Sequence, residues 1–159
     1  MSTDAPEFLP TDVPADARIA IVAARFNASI VDRLLEGCVA RLKELGVGED
    51  RVTVERVPGA FELPVAAKAL AATRRYAAVI CLGCVIRGDT PHFDYVAGEA
   101  ARGIQNVAIE MTLPVIFGVL TTNTLQQAED RTGGSHGHAG RRAAEAALEM
   151  VTVLARARE

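Results

Sequence analysis

The chain has few aromatic and sulfur-containing side chains. It holds no tryptophan, two tyrosines and five phenylalanines among 159 residues, and its three cysteines cannot all pair within one chain. No apolar run reaches the about 20 residues of a membrane-spanning helix, and the N-terminus lacks the basic and apolar segments of a secretory signal. We therefore expect neither a disulfide-stapled miniprotein nor a membrane protein, but a cytoplasmic protein with reduced thiols.

An excess of positive charge is also missing. The 17 Lys and Arg residues stand against 20 Asp and Glu residues, which leaves a net charge of -3. Domains that bind nucleic acids usually carry a basic face, and segments that bind anionic membranes carry clustered Lys and Arg. The composition therefore predicts no nucleic-acid partner and no membrane partner.

Several signatures of ligand and metal sites are absent as well. The sequence has no G-x-x-x-x-G-K-[ST], no G-x-G-x-x-G after its first predicted strand and no G-x-S-x-G. Cys81 and Cys84 form one C-x-x-C across the expected end of a buried strand, without the second pair of a zinc site. His136 and His138 lie in a glycine-rich stretch without ligands at useful spacing, which favours a flexible loop with exposed histidines. No metal site is expected.

What the sequence does contain is a regular alternation of strands and helices. The predicted strands are 18–24, 52–57, 77–82 and 114–120, and the predicted helices are about 27–45, 63–72, 93–106, 124–131 and 141–158. Asn27 or Ser29 can cap the first helix, and Gly46 can end it. The order predicts an α/β fold in which a four-stranded parallel sheet carries helices on both faces.

The length suits a single domain, and no internal repeat or linker divides it. Residues 1–17 hold four acidic residues and three prolines, which is typical of an N-terminal arm. Two interpretations of this arm stay open: a disordered tail, or a strand that adds to the sheet of a neighbouring subunit. Residues 18–159 form the predicted domain.

Four turns that follow the strands are expected to meet at one edge of the sheet, because parallel strands all end there. These turns are Phe26–Asn27, Gly59–Glu62, Gly83–His92 and Phe117–Thr122. The third is the richest in functional groups. Gly88–Thr90 offers N–H groups and a hydroxyl at a helix start, which suits a phosphate, although an ordinary turn and cap explains it equally. His92 can carry protons near neutral pH.

Side chains near the other turns extend this candidate site. Phe26 and Phe61 could stack on a flat ring, or they could simply pack in the core. Glu62 could accept hydrogen bonds from hydroxyl groups, or it could complement the dipole of the following helix. Arg131, at the end of a short helix, could hold a phosphate through two N–H groups, or it could satisfy carbonyls at that helix end.

Together these segments resemble the 6,7-dimethyl-8-ribityllumazine synthase family, which acts at the penultimate step of riboflavin biosynthesis. The resemblance runs from about residue 18 to residue 150, and it rests on Val57–Pro64, Gly83–Tyr95, Phe117–Thr122 and Arg25–Asn27. It implies a flavodoxin-like three-layer α/β/α sandwich. It also implies a transferase that condenses 5-amino-6-(D-ribitylamino)uracil with 3,4-dihydroxy-2-butanone 4-phosphate, without a metal or redox cofactor, to give the lumazine, phosphate and water.

The resemblance assigns a role to each matching residue. His92 would be the acid/base. The residues that would bind the uracil substrate are Phe26, Ala60, Phe61, Glu62, Cys84, Val85 and Ile86, and those that would bind the butanone phosphate are Asp89, Thr90 and Arg131. Phe117 would come from a neighbouring subunit, so that each site lies between two subunits.

One position departs from the family pattern. Ala139 stands where the family often has a lysine that adds positive charge near the phosphate. Arg141 or Arg142 is a candidate replacement for that charge, although either could equally be a solvated charge at a helix start.

The resemblance also implies an assembly and two other functions. Family members form pentamers, and in many of them twelve pentamers close into a shell of 60 subunits, which the short Arg131–Gly140 spacing favours. Riboflavin synthase is a candidate partner. The alternatives to the enzyme are a non-catalytic carrier of flavin or lumazine on the same scaffold, and a structural cage without turnover.

Overall fold

A computed structural model describes residues 13–159, with four strands in its main sheet. These strands are β1 (Ile19–Ala24), β2 (Val52–Val57), β3 (Ala78–Ile86) and β4 (Val115–Thr122). The helices are α1 (Ala28–Glu44), α2 (Leu63–Ala72), α3 (His92–Met111), α4 (Leu125–Glu129) and α5 (Ala139–Ala157). Short 3-10 turns cover Glu49–Arg51 and Ala60–Glu62. The predicted order of strands and helices is confirmed.

The main sheet is parallel throughout and lies between two helical layers. Its strand order is β2-β1-β3-β4, which matches the first four strands of the flavodoxin-like order. On one face α1 packs against α5, and on the other α2 packs against α3. The predicted three-layer α/β/α sandwich is thereby confirmed.

The central strand β1 shows why this chain forms a sheet that is covered on both sides. Ile19 and Ile21 point into the core cluster beneath α1 and α5, whereas Ala20 and Val22 point into the cluster beneath α2 and α3. Every residue of β1 is buried. A strand buried on both faces reads as a continuous apolar run, which is the pattern of residues 19–24.

Strand β3 is longer than the sequence predicts. It continues past Leu82 to Ile86, because β4 keeps pairing with it through Cys84, Val85 and Ile86. The prediction that Cys81 and Cys84 straddle the end of the strand was therefore wrong: both lie inside β3. Burial raises the pKa of the Cys81 thiol to about 12 and that of Cys84 to about 11, so both are protonated at neutral pH.

The structure confirms the predicted end of α1 but not its predicted side-chain cap. Gly46 ends the segment with a φ of 97°, a left-handed conformation that favours glycine, as predicted. At the other end, Asn27 also adopts a left-handed conformation, with φ 59° and ψ 48°, and its side chain makes no cap. Ser29 lies within the helix. The predicted capping role of these two residues was wrong.

The stretch between α4 and α5 forms regular structure rather than a loop. It forms a small antiparallel hairpin of β5 (Thr132–Gly134) and β6 (Gly137–His138). His136 is exposed, but His138 is partly buried and caps α5. The prediction of two exposed loop histidines was thus wrong for His138.

The predicted N-terminal arm, residues 1–17, falls largely outside the described residues. Of its last part, Val13 packs against the core beside α1 and α5, and Ala17 is buried. Among residues 13–159, none of the helices combines the length and the apolar character needed to cross a bilayer.

Candidate active site

A cavity of about 430 Å³ opens at the carboxyl ends of β1, β2 and β3. It lies at the point where strand order reverses, with β2 on one side of β1 and β3 on the other, which is where open parallel sheets bind ligands. Its volume falls within the range of small-molecule sites. The cavity brings together nine of the twelve residues nominated from the sequence: Phe26, Ala60, Phe61, Glu62, Cys84, Val85, Ile86, Thr90 and His92.

The floor of the cavity is formed by the end of β3 and the turn after β1. The side-chain amide of Asn27 donates a hydrogen bond of 2.8 Å to the carbonyl oxygen of Cys84. The N–H of Phe26 donates to the carbonyl of Pro58 at 3.0 Å. These bonds tie the turn after β1 to the turn after β2 and to the last part of β3, and so join the three elements beneath the cavity.

The aromatic walls are open to solvent. Phe26 is 72% exposed and Phe61 is 59% exposed. Neither side chain therefore packs in the core of its own chain, which removes the core interpretation that was open for both. Their faces are accessible for contact with a flat ring or with another subunit.

Glu62 is positioned by the start of α2. Ala60–Glu62 forms a 3-10 turn that runs directly into α2, with Pro64 in the first turn of that helix. Pro64 fits there because the first N–H groups of a helix have no internal partner. The Glu62 carboxylate lies close to Gly59, where an added Cβ would be 3.7 Å from Oε2. The turn thus holds an acceptor of hydrogen bonds at the mouth of the cavity.

His92 is the first residue of α3 and is exposed. Its N–H donates to the hydroxyl of Thr90 at 3.4 Å, which fixes the entry to the helix. The imidazole of His92 therefore stands at the start of a long helix and remains accessible to solvent and ligand.

Arg87 anchors this helix start and was not singled out from the sequence. Its guanidinium lies 4.3 Å from the centre of the Phe93 ring, and its Nε donates to the side chain of Asn123 at 3.0 Å. A weaker ion pair of 3.6 Å reaches Asp94. Nothing in the local sequence indicated this link, because Asn123 belongs to the turn after β4.

Three nominated residues do not line the cavity of their own chain. Asp89 is exposed in the turn before α3. Phe117 lies in the middle of the edge strand β4 and is 44% exposed. Arg131 follows α4 and donates from Nη1 to the carbonyl of Gln127 at 2.8 Å, which is the helix-end role that the sequence left open.

The two arginines after Ala139 make separate contacts. Arg141 forms an ion pair of 2.6 Å with Glu44 of α1, and this contact lowers the pKa of the Glu44 carboxyl. Arg142 donates to the carbonyl of His136 in the hairpin at 3.3 Å. Arg141 is thus held against α1, whereas Arg142 lies over the hairpin.

The cavity is lined by the imidazole of His92, the carboxylate of Glu62, the hydroxyl of Thr90 and the amide of Asn27, together with exposed aromatic faces and the last residues of β3. Within residues 13–159, no group of three or more His, Cys, Asp or Glu side chains is placed to hold a metal ion. Such a cavity can orient polar planar molecules and move protons.

A parallel sheet with helices on both faces defines this chain as an α/β protein, and its open cavity lies at the switch point, where proteins of this class bind small molecules. Residues 16–155 match the family model of 6,7-dimethyl-8-ribityllumazine synthase. The chain therefore belongs to this family, as its motifs indicated. Membership indicates a transferase-type enzyme of riboflavin biosynthesis.

Proposed function

We propose that the protein condenses 5-amino-6-(D-ribitylamino)uracil with 3,4-dihydroxy-2-butanone 4-phosphate to form 6,7-dimethyl-8-ribityllumazine, phosphate and water. The observation that carries the proposal is the convergence of Phe26, Glu62 and His92 on one cavity. These side chains come from three different strand ends, so only the parallel sheet makes them neighbours.

In this proposal the uracil substrate occupies the end of the cavity near β1 and β2. Phe26 stacks on the pyrimidine, and Ala60 and Phe61 wall it. Glu62 accepts hydrogen bonds from the ribityl hydroxyls. The main chain of Cys84, Val85 and Ile86 meets the edge of the ring, as Cys84 contributes little surface of its own (3% exposed).

The butanone phosphate occupies the end near α3. Asp89 and Thr90 bind it beside the helix start, and Arg131 holds its phosphate. Only Nη1 of Arg131 contributes to the bond with Gln127, and a guanidinium has five N–H donors in a planar fork. Arg131 therefore has the capacity to bind phosphate while it keeps this anchor.

The reaction needs few protein groups. The amine of the uracil attacks the ketone and a Schiff base forms with loss of water. Phosphate then leaves by β-elimination, and the second amine closes the ring with loss of another water. His92 carries protons between these steps. The protein contributes chiefly the proximity of two reactive substrates.

The assay is direct: the two substrates are mixed with the protein, and the absorbance and fluorescence of the lumazine are followed. Product above the uncatalysed background supports the enzyme. Ligand binding without turnover would indicate a non-catalytic carrier. Large particles that neither bind the ligand nor form product would indicate a structural cage.

We further propose that the site is completed by Phe117 of a neighbouring subunit in a pentamer, and that twelve pentamers close into a shell in the cytoplasm. The exposure of Phe26, Phe61 and Phe117 supports this, because such apolar surface favours an interface. Mixing Phe26→Ala and Phe117→Ala chains tests it. If the site is shared, re-assembled mixtures recover activity that neither variant has. If each site lies inside a single chain, they do not.

Light scattering distinguishes a pentamer from the 60-subunit shell, and co-purification tests riboflavin synthase as a partner.

Arg142 is the better candidate for the charge that Ala139 lacks, because Arg141 is committed to Glu44. Arg142→Ala is expected to weaken binding of the butanone phosphate more than Arg141→Ala. If neither substitution weakens binding of the butanone phosphate, neither arginine belongs to the phosphate site.

A further inference from the structure

His138 makes a contact that none of the roles above uses. Its Nδ1 accepts a hydrogen bond of 3.3 Å from the N–H of Arg141, which makes it the N-cap of α5. A nitrogen that accepts carries no proton, so the neutral ring holds its proton on Nε2. We propose that neutral His138 is a positioning residue for the segment that carries Arg131, and that protonation of its ring releases this segment. The inference rests on the proposed function of Arg131.

The ring of His138 sits in a space that only glycine leaves open. A Cβ added to Gly37 of α1 would lie 2.1 Å from Cε1 of the ring, and one added to Gly133 would lie 3.6 Å from Cδ2. The imidazole therefore packs against bare helix backbone on one side and against the hairpin on the other. Such a seat fixes the ring in the orientation that the cap requires.

The cap and Arg131 belong to one hydrogen-bonded unit. The N–H of Ala139, the first residue of α5, donates to the carbonyl of Arg131 at 2.8 Å. Thr132, the residue after Arg131, pairs with His138 across the hairpin. A change at the start of α5 is thus passed to Arg131 through two adjacent main-chain contacts.

The surroundings of the His138 ring disfavour its protonation. Burial lowers the pKa of His138 most, and the charges of Arg141 and Arg142 lower it further. The start of a helix also carries a positive partial charge. Other charged groups lie on the elements around the ring. On α1, Arg33 and Arg41 lie one turn on either side of Gly37. Glu44 pairs with Arg141, Glu145 pairs with Arg41, and Asp130 and Arg131 lie at the base of the hairpin.

The direction of the pH effect follows from this lowered pKa. The unfolded chain takes up its proton first as the pH falls below the ordinary histidine value of about 6.5. The stabilisation is therefore complete above that pH and is lost as the pH falls through the folded-state value. In acid the imidazolium cannot accept the N–H of Arg141, so the cap disappears.

The test compares the wild type with His138→Asn, which keeps a capping acceptor that does not titrate. His136→Asn is the matched control, because it removes the exposed histidine of the same hairpin. The KM for 3,4-dihydroxy-2-butanone 4-phosphate is measured in steps from pH 7.5 down to pH 4.5, because the pKa of the folded ring lies below its ordinary value, and each protein is compared with itself. Titration of the substrate phosphate affects all three alike. The loss of one cap predicts that KM rises on acidification by a factor that is about fivefold larger in the wild type than in His138→Asn. His136→Asn should behave as the wild type does.

A second measurement does not depend on turnover. Between pH 7.5 and pH 4.5, the protection of the segment 131–145 against hydrogen exchange should fall further in the wild type than in His138→Asn, each protein again being compared with itself. Equal changes in KM, or equal changes in protection, between pH 7.5 and pH 4.5 would overturn the inference. A wild type that exchanges as expected but forms no lumazine at pH 7.5 would reject the proposed function and leave the role of His138 in holding the segment intact.

Discussion

The side-chain amide of Asn27 donates a 2.8 Å hydrogen bond to the main-chain carbonyl of Cys84, 57 positions later in the chain. Asn27 can aim its side chain at this carbonyl because it adopts a left-handed conformation, which asparagine tolerates better than most residues. The bond joins the turn after β1 to the end of β3 beneath the cavity.

We expect Asn27→Asp to destabilise the protein, because a carboxylate cannot donate to the Cys84 carbonyl. The lost bond and the unpaired carbonyl predict a decrease of about 1–3 kcal/mol in the free energy of unfolding, and a higher KM for the uracil substrate. Asn27→Gly keeps the left-handed backbone and should cost less, since it places no acceptor against the carbonyl. Denaturant unfolding measures both, and an unchanged Asn27→Asp would contradict the role of the bond.

The contact between α1 and α5 leaves no room for a side chain at Gly140. A Cβ there would lie 2.1 Å from the carbonyl oxygen of Leu34, so Gly140→Ala should destabilise by about 1–3 kcal/mol. The matched control is Gly98→Ala in α3, where an added Cβ has no neighbour within 4 Å. That change should stabilise by about 0.5–1 kcal/mol through helix propensity. Equal unfolding free energies for the two variants would refute the packing argument.

His92→Ala tests the proposed proton carrier. We expect kcat to fall by about 100-fold or more, with measurable activity left, because proximity of the substrates does not depend on the imidazole. Binding of the uracil substrate should change little. Complete loss of turnover in a folded protein that still binds substrate would mean that His92 does more than transfer protons.

Arg131→Ala tests the proposed phosphate clamp. Loss of charge-assisted hydrogen bonds predicts a KM for the butanone phosphate that is about 10-fold to 100-fold higher, with little change in the KM for the uracil substrate. Arg131→Lys should be intermediate, since lysine offers a point charge without the planar fork. An unchanged requirement for the butanone phosphate would limit Arg131 to its bond with Gln127.

Much of the fold followed from local patterns. The apolar run of β1, the helical spacing of residues 30–45 and Gly46 each reflect the surroundings of one element, and short-range geometry is what a sequence pattern records. The end of β3 was misplaced because its last residues are held by β4, and no pattern within residues 77–86 carries that pairing. Asn27 was misjudged for the same reason: its partner is a carbonyl on another strand.

The sequence by itself determined which chemical groups the site has and that a parallel sheet brings strand ends to one edge. The order of the strands, and therefore the meeting of Phe26, Glu62 and His92, was decided by the tertiary structure, because sheet order depends on which apolar faces pack together. The packing of the His138 ring against Gly37 was also decided by the tertiary structure. That contact joins residues about 100 positions apart, across an interface between two helices whose own sequences carry no sign of it.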